Sequence, residues 1–379
     1  MSARHAVASV LVMVLSAPFL SAGDVPAVGE NGGPVGPLSP AEMRQWLRGR
    51  ALFDKDFHRA DGVGTPELNA DSCRACHQDP VLGGAGGLEL NVSRFGSDNG
   101  GDGPFTNLPG GQGLSKLRPP WEEGRENYDP ATADVFEQRQ TPSVLGLGLI
   151  DGIPDEVILA NQDPDDLDGD GIRGVARVLM VDGQPELGRF GWKAQVPRLA
   201  DFVRDAMGGE NGITTPDDGR GFALVADDDD VDDPELSPSE VEDLAFFLEQ
   251  LGPPIPAGAP DALGLRGQEV FRALRCDKCH VPELEGADGP VRLFSDLLLH
   301  DVMGPDYRGM AEDGAPSGSF RTPPLWGIGD TAPYMHDGRA STLEAAIEAH
   351  RGEAEACAVG FEMASDDQRK ALISFLLGI

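Results

Sequence analysis

The sequence predicts a mainly α chain of two tandem, homologous domains with long Gly/Pro-rich loops and little β structure, and three observations predict it. Four of the five cysteines fall in two copies of one motif, Cys73-Arg74-Ala75-Cys76-His77 and Cys276-Asp277-Lys278-Cys279-His280. Around each copy the same elements recur in the same order. Glycine (50) and proline (31) are abundant while aromatics make up only 6 %, so irregular loops must wrap short helices.

The motif comes first because it names a cofactor. In C-x-x-C-H each thiol can add to one vinyl group of a haem, and the adjacent histidine can reach the iron. Zinc would need four ligands gathered at one point, whereas here each cysteine pair is followed directly by its own histidine. Two covalently attached haem c groups are therefore expected, one on Cys73, Cys76 and His77 and the other on Cys276, Cys279 and His280. The two homologous units are then cytochrome c-like domains.

The repeated elements set the boundaries. Leu47-Arg48-Gly49 with Leu52-Phe53 is answered by Leu265-Arg266-Gly267 with Val270-Phe271, each opening toward its own motif. Thr141-Pro142 followed by Gly146-Leu147-Gly148 is answered by Thr322-Pro323 followed by Gly327-Ile328-Gly329. Ser237 with Leu244, Phe247 and Leu248 matches Ser365 with Leu372, Phe375 and Leu376 at one constant offset, the pattern of a serine-capped helix with an apolar stripe. Ser39-Pro40-Ala41-Glu42 reads as a capping box, so the first domain spans residues 39–251. A proline-rich linker, 252–260, precedes the second domain at 261–379. The stretch from Thr141 to Ser237 is more than twice as long as that from Thr322 to Ser365, so the first domain carries insertions.

Residues 1–22 read as a secretory signal: Arg4 begins it, Ala6 to Leu20 is apolar, and Ser21-Ala22 offers small residues for cleavage. That apolar run is shorter than the roughly 20 residues of a membrane span, so a periplasmic protein without a membrane span is expected. Residues 23–38 are expected to form a flexible arm. The formal charge of -34 rules against nucleic acid and anionic membrane surfaces and favours a basic partner. Cys357 has no cysteine left to pair with and reads as an inert thiol.

Each iron needs a sixth ligand or keeps an open position. For the second, His350 ends a helical stretch from Ser341 with Leu343, Ile347 and His350 on one face, while His300, Met335 and His336 compete. For the first, His58 is the only other histidine of the mature domain and lies in a polar stretch. Should His58 not bind, peroxide, oxygen or water can occupy that iron. Peroxide chemistry then needs acid–base and polar groups, which the segment from Gln138 to Glu156 stores in abundance.

Gly188-Arg189-Phe190-Gly191-Trp192-Lys193, Asp296 to Asp301, Phe320-Arg321-Thr322-Pro323-Pro324-Leu325-Trp326-Gly327 and Ala332-Pro333-Tyr334-Met335-His336-Asp337-Gly338-Arg339 resemble the bacterial di-haem oxidoreductase family, from about residue 40 to the end. That family is similar to the di-haem cytochrome c peroxidases and to the di-haem enzyme that matures a quinone cofactor. The resemblance implies a peroxide-reactive N-terminal haem and an electron-passing C-terminal haem. It places the distal ligand of the latter at His350, where the peroxidases have methionine and the quinone-maturing enzyme tyrosine. A second imidazole implies a lower potential than methionine would give. The resemblance also implies Gln138 as a distal-pocket residue, with Asp151 or Glu156 as the acid, and Trp121 or Trp192 between the haems. Asp166, Asp168 and Asp170 are spaced like an EF-hand loop, with Arg177 at the twelfth position instead of glutamate; they are the expected calcium residues. The acidic run Asp227 to Asp230 reads as a solvated loop.

The expected function is a periplasmic, peroxidase-like di-haem c-type oxidoreductase that uses peroxide or oxygen as oxidant and exchanges electrons with a small cytochrome or cupredoxin. The alternative is a two-haem electron-transfer cytochrome c without catalysis. A structural or sensing module built on such domains ranks third.

Overall fold

The computed structural model describes residues 25–64, 68–98, 103–106 and 133–379. The expected signal at 1–22 and Trp121 lie outside the described residues. Two helix crossings organise the chain. In the first half α1 (Pro40–Phe53) starts at the expected capping box, with Ser39 accepting from the backbone N–H of Glu42 and Glu42 reaching back to Ser39. After the short α2 (Cys73–Cys76), strands β1 (Val92–Gly96) and β2 (Val135–Arg139) pair antiparallel, with Ser93 opposite Gln138. Helices α3 (Leu147–Asp151) and α4 (Asp155–Leu159) lead to the hairpin β3 (Val178–Val181) and β4 (Gln184–Leu187). Then come α5 (Leu199–Ala206), continued by one π-helical turn at Met207–Asn211, and α6 (Pro238–Gln250), again opened by a serine capping box.

The second half repeats the frame. Its first helix, α7 (Ala262–Ala273), is capped by Asp261. Two short antiparallel pairs follow: β5 (Leu284–Gly286) with β6 (Gly289–Val291), and β7 (Leu299–Asp301) with β8 (Ser319–Arg321). Three helices close the chain: α8 (Leu343–Glu348), α9 (Glu355–Met363) and α10 (Asp366–Leu376), the last capped by Ser365. The structure is helix-rich with few short antiparallel strands, as expected.

The crossings α1 on α6 and α7 on α10 use the same device. A β-carbon on Gly49 would lie 1.9 Å from the Asp243 carbonyl oxygen, and one on Gly267 would lie 2.0 Å from that of Ala371. Only a residue without a side chain lets the backbones approach so closely. Phe53 and Trp46 then pack on Phe247, with ring centroids 5.3 Å apart in both pairs, and Phe271 packs on Phe375 at 5.4 Å. The first core also takes in Leu293, Leu297, Leu298 and Trp326 from the second half, so packing crosses the linker.

The segment expected to form a flexible arm, 23–38, is described from residue 25 onward. Across its described residues it is fastened to the end of α6 and the linker: Val35 donates to the Gln250 carbonyl at 2.7 Å, and Gly252 donates to that of Gly33 at 2.9 Å. A linker of prolines cannot enter a helix or sheet, and its remaining backbone groups find partners in this neighbouring strand-like segment. His350 also differs in detail, since α8 ends at Glu348 and the histidine lies just beyond its cap, Ala349.

Candidate functional site

One cavity of about 710 Å³ is walled by both C-x-x-C-H motifs and by residues of both halves. The first motif folds as the turn of α2; the second is a 3-10 turn, Cys276–Lys278. Each motif histidine is fixed through Nδ1, His77 donating to the Gly84 carbonyl at 3.2 Å and His280 to that of Phe294 at 3.0 Å. That tautomer leaves each Nε2 lone pair free for a metal. Burial pushes both imidazoles down to about 4, so both are neutral near pH 7. Burial likewise raises the thiols, Cys73 to about 12 and Cys76 to about 11, with Cys276 and Cys279 also raised. These are not the thiolates of a low-pKa redox pair.

His350 lines the same cavity. Its Nδ1 donates to the Ala346 carbonyl at 2.8 Å, which again frees Nε2, and burial lowers its pKa. A charge on His350 would lower the pKa of His280 further, and both residues line the one cavity. The competing histidines have other partners, although His336 also lines the cavity. The Nε2 atom of His336 lies 2.7 Å from the Tyr307 hydroxyl, and its ring is stacked on Phe320. His300 has a carboxylate at each nitrogen, Asp296 and Glu353, both at 2.8 Å. Met335 lines the cavity, whereas His58 is exposed and is not part of its wall.

The polar wall is a correction to the acid–base residues expected from the sequence. Gln138, Asp151 and Glu156 do not line the cavity. Strand alternation turns the side chains of buried Glu137 and Arg139 to one face of β2 and that of half-buried Gln138 to the other. Asp151 accepts from the backbone N–H of Leu199 at 3.0 Å, serving the start of α5, and burial raises its pKa. Glu156 is exposed in the first turn of α4. In their place stand Gln140, Arg94, Arg139, Arg321, Asp205 and Glu210. Trp192 lines the cavity too and donates its indole N–H to the Gln140 carbonyl at 2.8 Å. Asp205 is open to the cavity; desolvation by the surrounding wall, with Glu210 adding to it, raises its carboxyl to about 7, and burial raises Glu210 itself. Arg321 is buried, donates to the carbonyls of Gly191 (3.0 Å) and Thr322 (3.3 Å), and has no carboxylate in salt-bridge contact among the described residues. The Nε of Arg94 and the hydroxyl of Ser72 are buried without hydrogen-bond partners among the described residues.

The acidic loop is rearranged relative to expectation. Asp163, Asp166 and Asp168 bring their carboxylates within 4.8 Å of one another. Asp170, expected to join them, instead pairs with Arg275 and with Lys278 (2.9 Å) beside the second motif, because two cations there outbid a loop of like charges. Asp227, Asp229 and Glu235 also gather, where only a solvated loop was expected.

Comparison with known proteins finds that residues 132–379 match the family described as "Di-haem oxidoreductase, putative peroxidase". No curated protein matches the chain. Among solved structures, the chain is similar to hydrazine synthase of Kuenenia stuttgartiensis, pressurised with xenon: 16 % identity over 100 % of both chains, TM-score 0.44. It is also similar to a MauG-like protein associated with microbial copper homeostasis: 17 % identity over 94 % of each chain, TM-score 0.44.

Proposed function

This chain belongs to the di-haem oxidoreductase family, and on that premise we propose that it is a periplasmic, peroxidase-like c-type oxidoreductase with an open first haem and a six-coordinate, electron-passing second haem. The cavity suits two such groups. Its wall offers two thiol pairs, each with a neutral imidazole, set in largely apolar surroundings. The unpaired Arg321 and the unpartnered Nε of Arg94 offer cationic donors to the carboxylates that haem carries. Haem, when bound, supplies one-electron chemistry and an iron to which peroxide or oxygen can bind.

One observation carries the assignment of roles. Three positions of α5 meet the cavity at the spacing found at the end of α8: Phe202, Val203 and Ala206 line it from α5, and Ala346 and Ile347 of α8 line it with His350 just beyond that helix. Each helix is followed closely by glycine, Gly208 in one and Gly352 in the other. By this correspondence, Ala206 stands where the second half has its ligand, His350. A methyl group cannot ligate iron, so the first site keeps a position for an oxidant.

The residues around that position then divide the work. Cys73 and Cys76 would tether the group, and His77, whose Nε2 is left free, would supply a nitrogen ligand to its iron. Asp205, with its pKa raised to about 7, would accept a proton from peroxide and give it to the oxygen that leaves as water, the electrons for that O–O cleavage being the chemistry the haem iron would supply. In the second site His280 and His350, each with Nδ1 engaged and Nε2 free, would both hold the iron, so that an oxidant would find no ligand position there. Trp192 and Gln140, hydrogen-bonded on the cavity wall, lie on the route by which electrons pass. The calcium residues we assign are Asp163, Asp166 and Asp168.

Electron transfer without catalysis is the second reading. It is favoured by Met207, which is buried beside Ala206 and lines the cavity, because a thioether could fill the first position. Optical and paramagnetic-resonance spectra before and after peroxide separate the two. The family and the site residues leave the donor to be found by its chemistry, a basic one-electron protein that suits a chain of charge -34.

A further inference from the structure

His300, on β7, is buried with its Nε2 2.8 Å from a carboxylate oxygen of Asp296 and its Nδ1 2.8 Å from one of Glu353. A neutral imidazole has one N–H, and ionised carboxylates only accept, so a ring bonded to both is an imidazolium. Burial opposes that charge, but the ring's hydrogen bonds to Asp296, Cys279 and Glu353 hold the pKa well above its ordinary value.

The two carboxylates belong to the two segments that present the axial histidines of the second site. Asp296 lies in the loop whose Phe294 carbonyl receives the His280 ring, and its own backbone N–H donates to the Cys279 carbonyl at 2.9 Å. Glu353 lies in the turn Gly352–Ala354, three residues beyond His350. That turn is stitched to β7 and its continuation: Asp301 donates its backbone N–H to Glu353 at 3.2 Å, and Arg351 donates to the Val302 carbonyl at 2.9 Å. Glu353 also takes the backbone N–H of Arg173 at 2.9 Å, which ties the acidic loop of the first half to the same point.

We infer that His300 is a positioning residue of the second site, an ionic link between the loop that orients His280 and the turn that follows His350, fixing the separation at which both imidazoles can hold one iron. The inference rests on the reading of His350 as the second axial ligand. Two axial bonds must form at once, so a small drift of either segment weakens one of them, and the weaker is His350, which follows a helix of only six residues. His300 has no nitrogen free for iron and can act only through its neighbours.

The test uses purified holoprotein. His300→Ala would leave two buried carboxylates without a counter-ion and can fail to fold, so the informative variants are His300→Gln, which keeps an amide donor without the charge, and Glu353→Gln, which removes one arm. Both are expected to retain two attached haems and wild-type helix content. The second haem should lose part of its low-spin signal, and carbon monoxide should bind the reduced second site on the order of tenfold more tightly in His300→Gln, with a smaller gain in Glu353→Gln. An unchanged low-spin signal and unchanged carbon monoxide affinity in both variants, even with a lower melting temperature, would overturn the proposal. His350→Ala separates the two levels: if it leaves the second haem low-spin, the ligand reading fails and this inference with it. If it turns that haem high-spin while His300→Gln does nothing, only the inference fails.

Discussion

Gly49 lies directly on the backbone carbonyl of Asp243, so close that the α1 and α6 backbones touch where any side chain would stand. The neighbouring Arg48 closes the crossing from outside with a two-pronged ion pair to the Asp243 carboxylate, at 2.6 and 2.8 Å. Gly267 makes the same approach to Ala371 in the second half.

The atoms that a new methyl group would strike are backbone atoms of a helix, which cannot swing aside. Gly49→Ala and Gly267→Ala are therefore expected to destabilise the chain by about 2–3 kcal/mol each, against the small gain that alanine normally gives a helix. Chemical denaturation of the two variants checks this. Wild-type midpoints would mean that the helices can separate at no cost.

These glycines also mark what the sequence made legible. Leu-Arg-Gly recurs before each motif, and the recurrence corresponds to one packing device, so the helix pairs were readable from a one-dimensional repeat. The capping boxes at Ser39, Ser237 and Ser365 were readable because their partners lie three residues away. The acid–base wall was not. Asp205 and Glu210 sit far in sequence from the C-x-x-C-H they face, and nothing local distinguishes them from the chain's many other carboxylates. Gln138 is implied by the family resemblance, yet strand alternation gives the inward face to its neighbours. A signal was present in the likeness of Leu199–Gly208 to Leu343–Gly352, which aligns Ala206 with His350 and leads to Asp205.

Asp205→Asn tests that wall. With Asp205 up to about 7, its proton-accepting form grows as pH rises through neutrality, so the rate at which peroxide consumes the first haem should climb across pH 6–8 and then level. In Asp205→Asn the rate should fall about 100-fold or more and lose that rise. Stopped-flow absorbance over this range measures both. A variant with the wild-type profile would remove Asp205 from the reaction.

Glu312 supplies a stability test. Burial opposes its charge, but Arg94, Arg139 and Arg177 surround it and hold its carboxyl down to about 2. The folded value lies below the unfolded one, so its contribution is fully present above about pH 4.5 and is lost as pH falls toward 2. Glu312→Gln should cost on the order of 3 kcal/mol at pH 7, since it leaves three guanidiniums without their shared partner. It should also flatten the fall in stability between pH 4.5 and 2. Melting curves across that window check it, and a parallel acid limb in the variant would contradict the account.

His350→Ala should leave both haems attached, because its thioether partners Cys276 and Cys279 are untouched, and should convert the second haem from low to high spin. Added imidazole should restore the low-spin spectrum by occupying the space that the side chain leaves. Failure of imidazole to bind would show that the position is closed by something else, Met335 being the neighbour on the cavity wall.

The account stands on the inequality of the two sites, His350 in one and Ala206 in the other. Paramagnetic-resonance spectra of the oxidised holoprotein, recorded before and after a stoichiometric addition of hydrogen peroxide, measure it most directly. One high-spin and one low-spin haem, with the high-spin signal lost first on addition, is the predicted result. Two low-spin haems that ignore peroxide would contradict it.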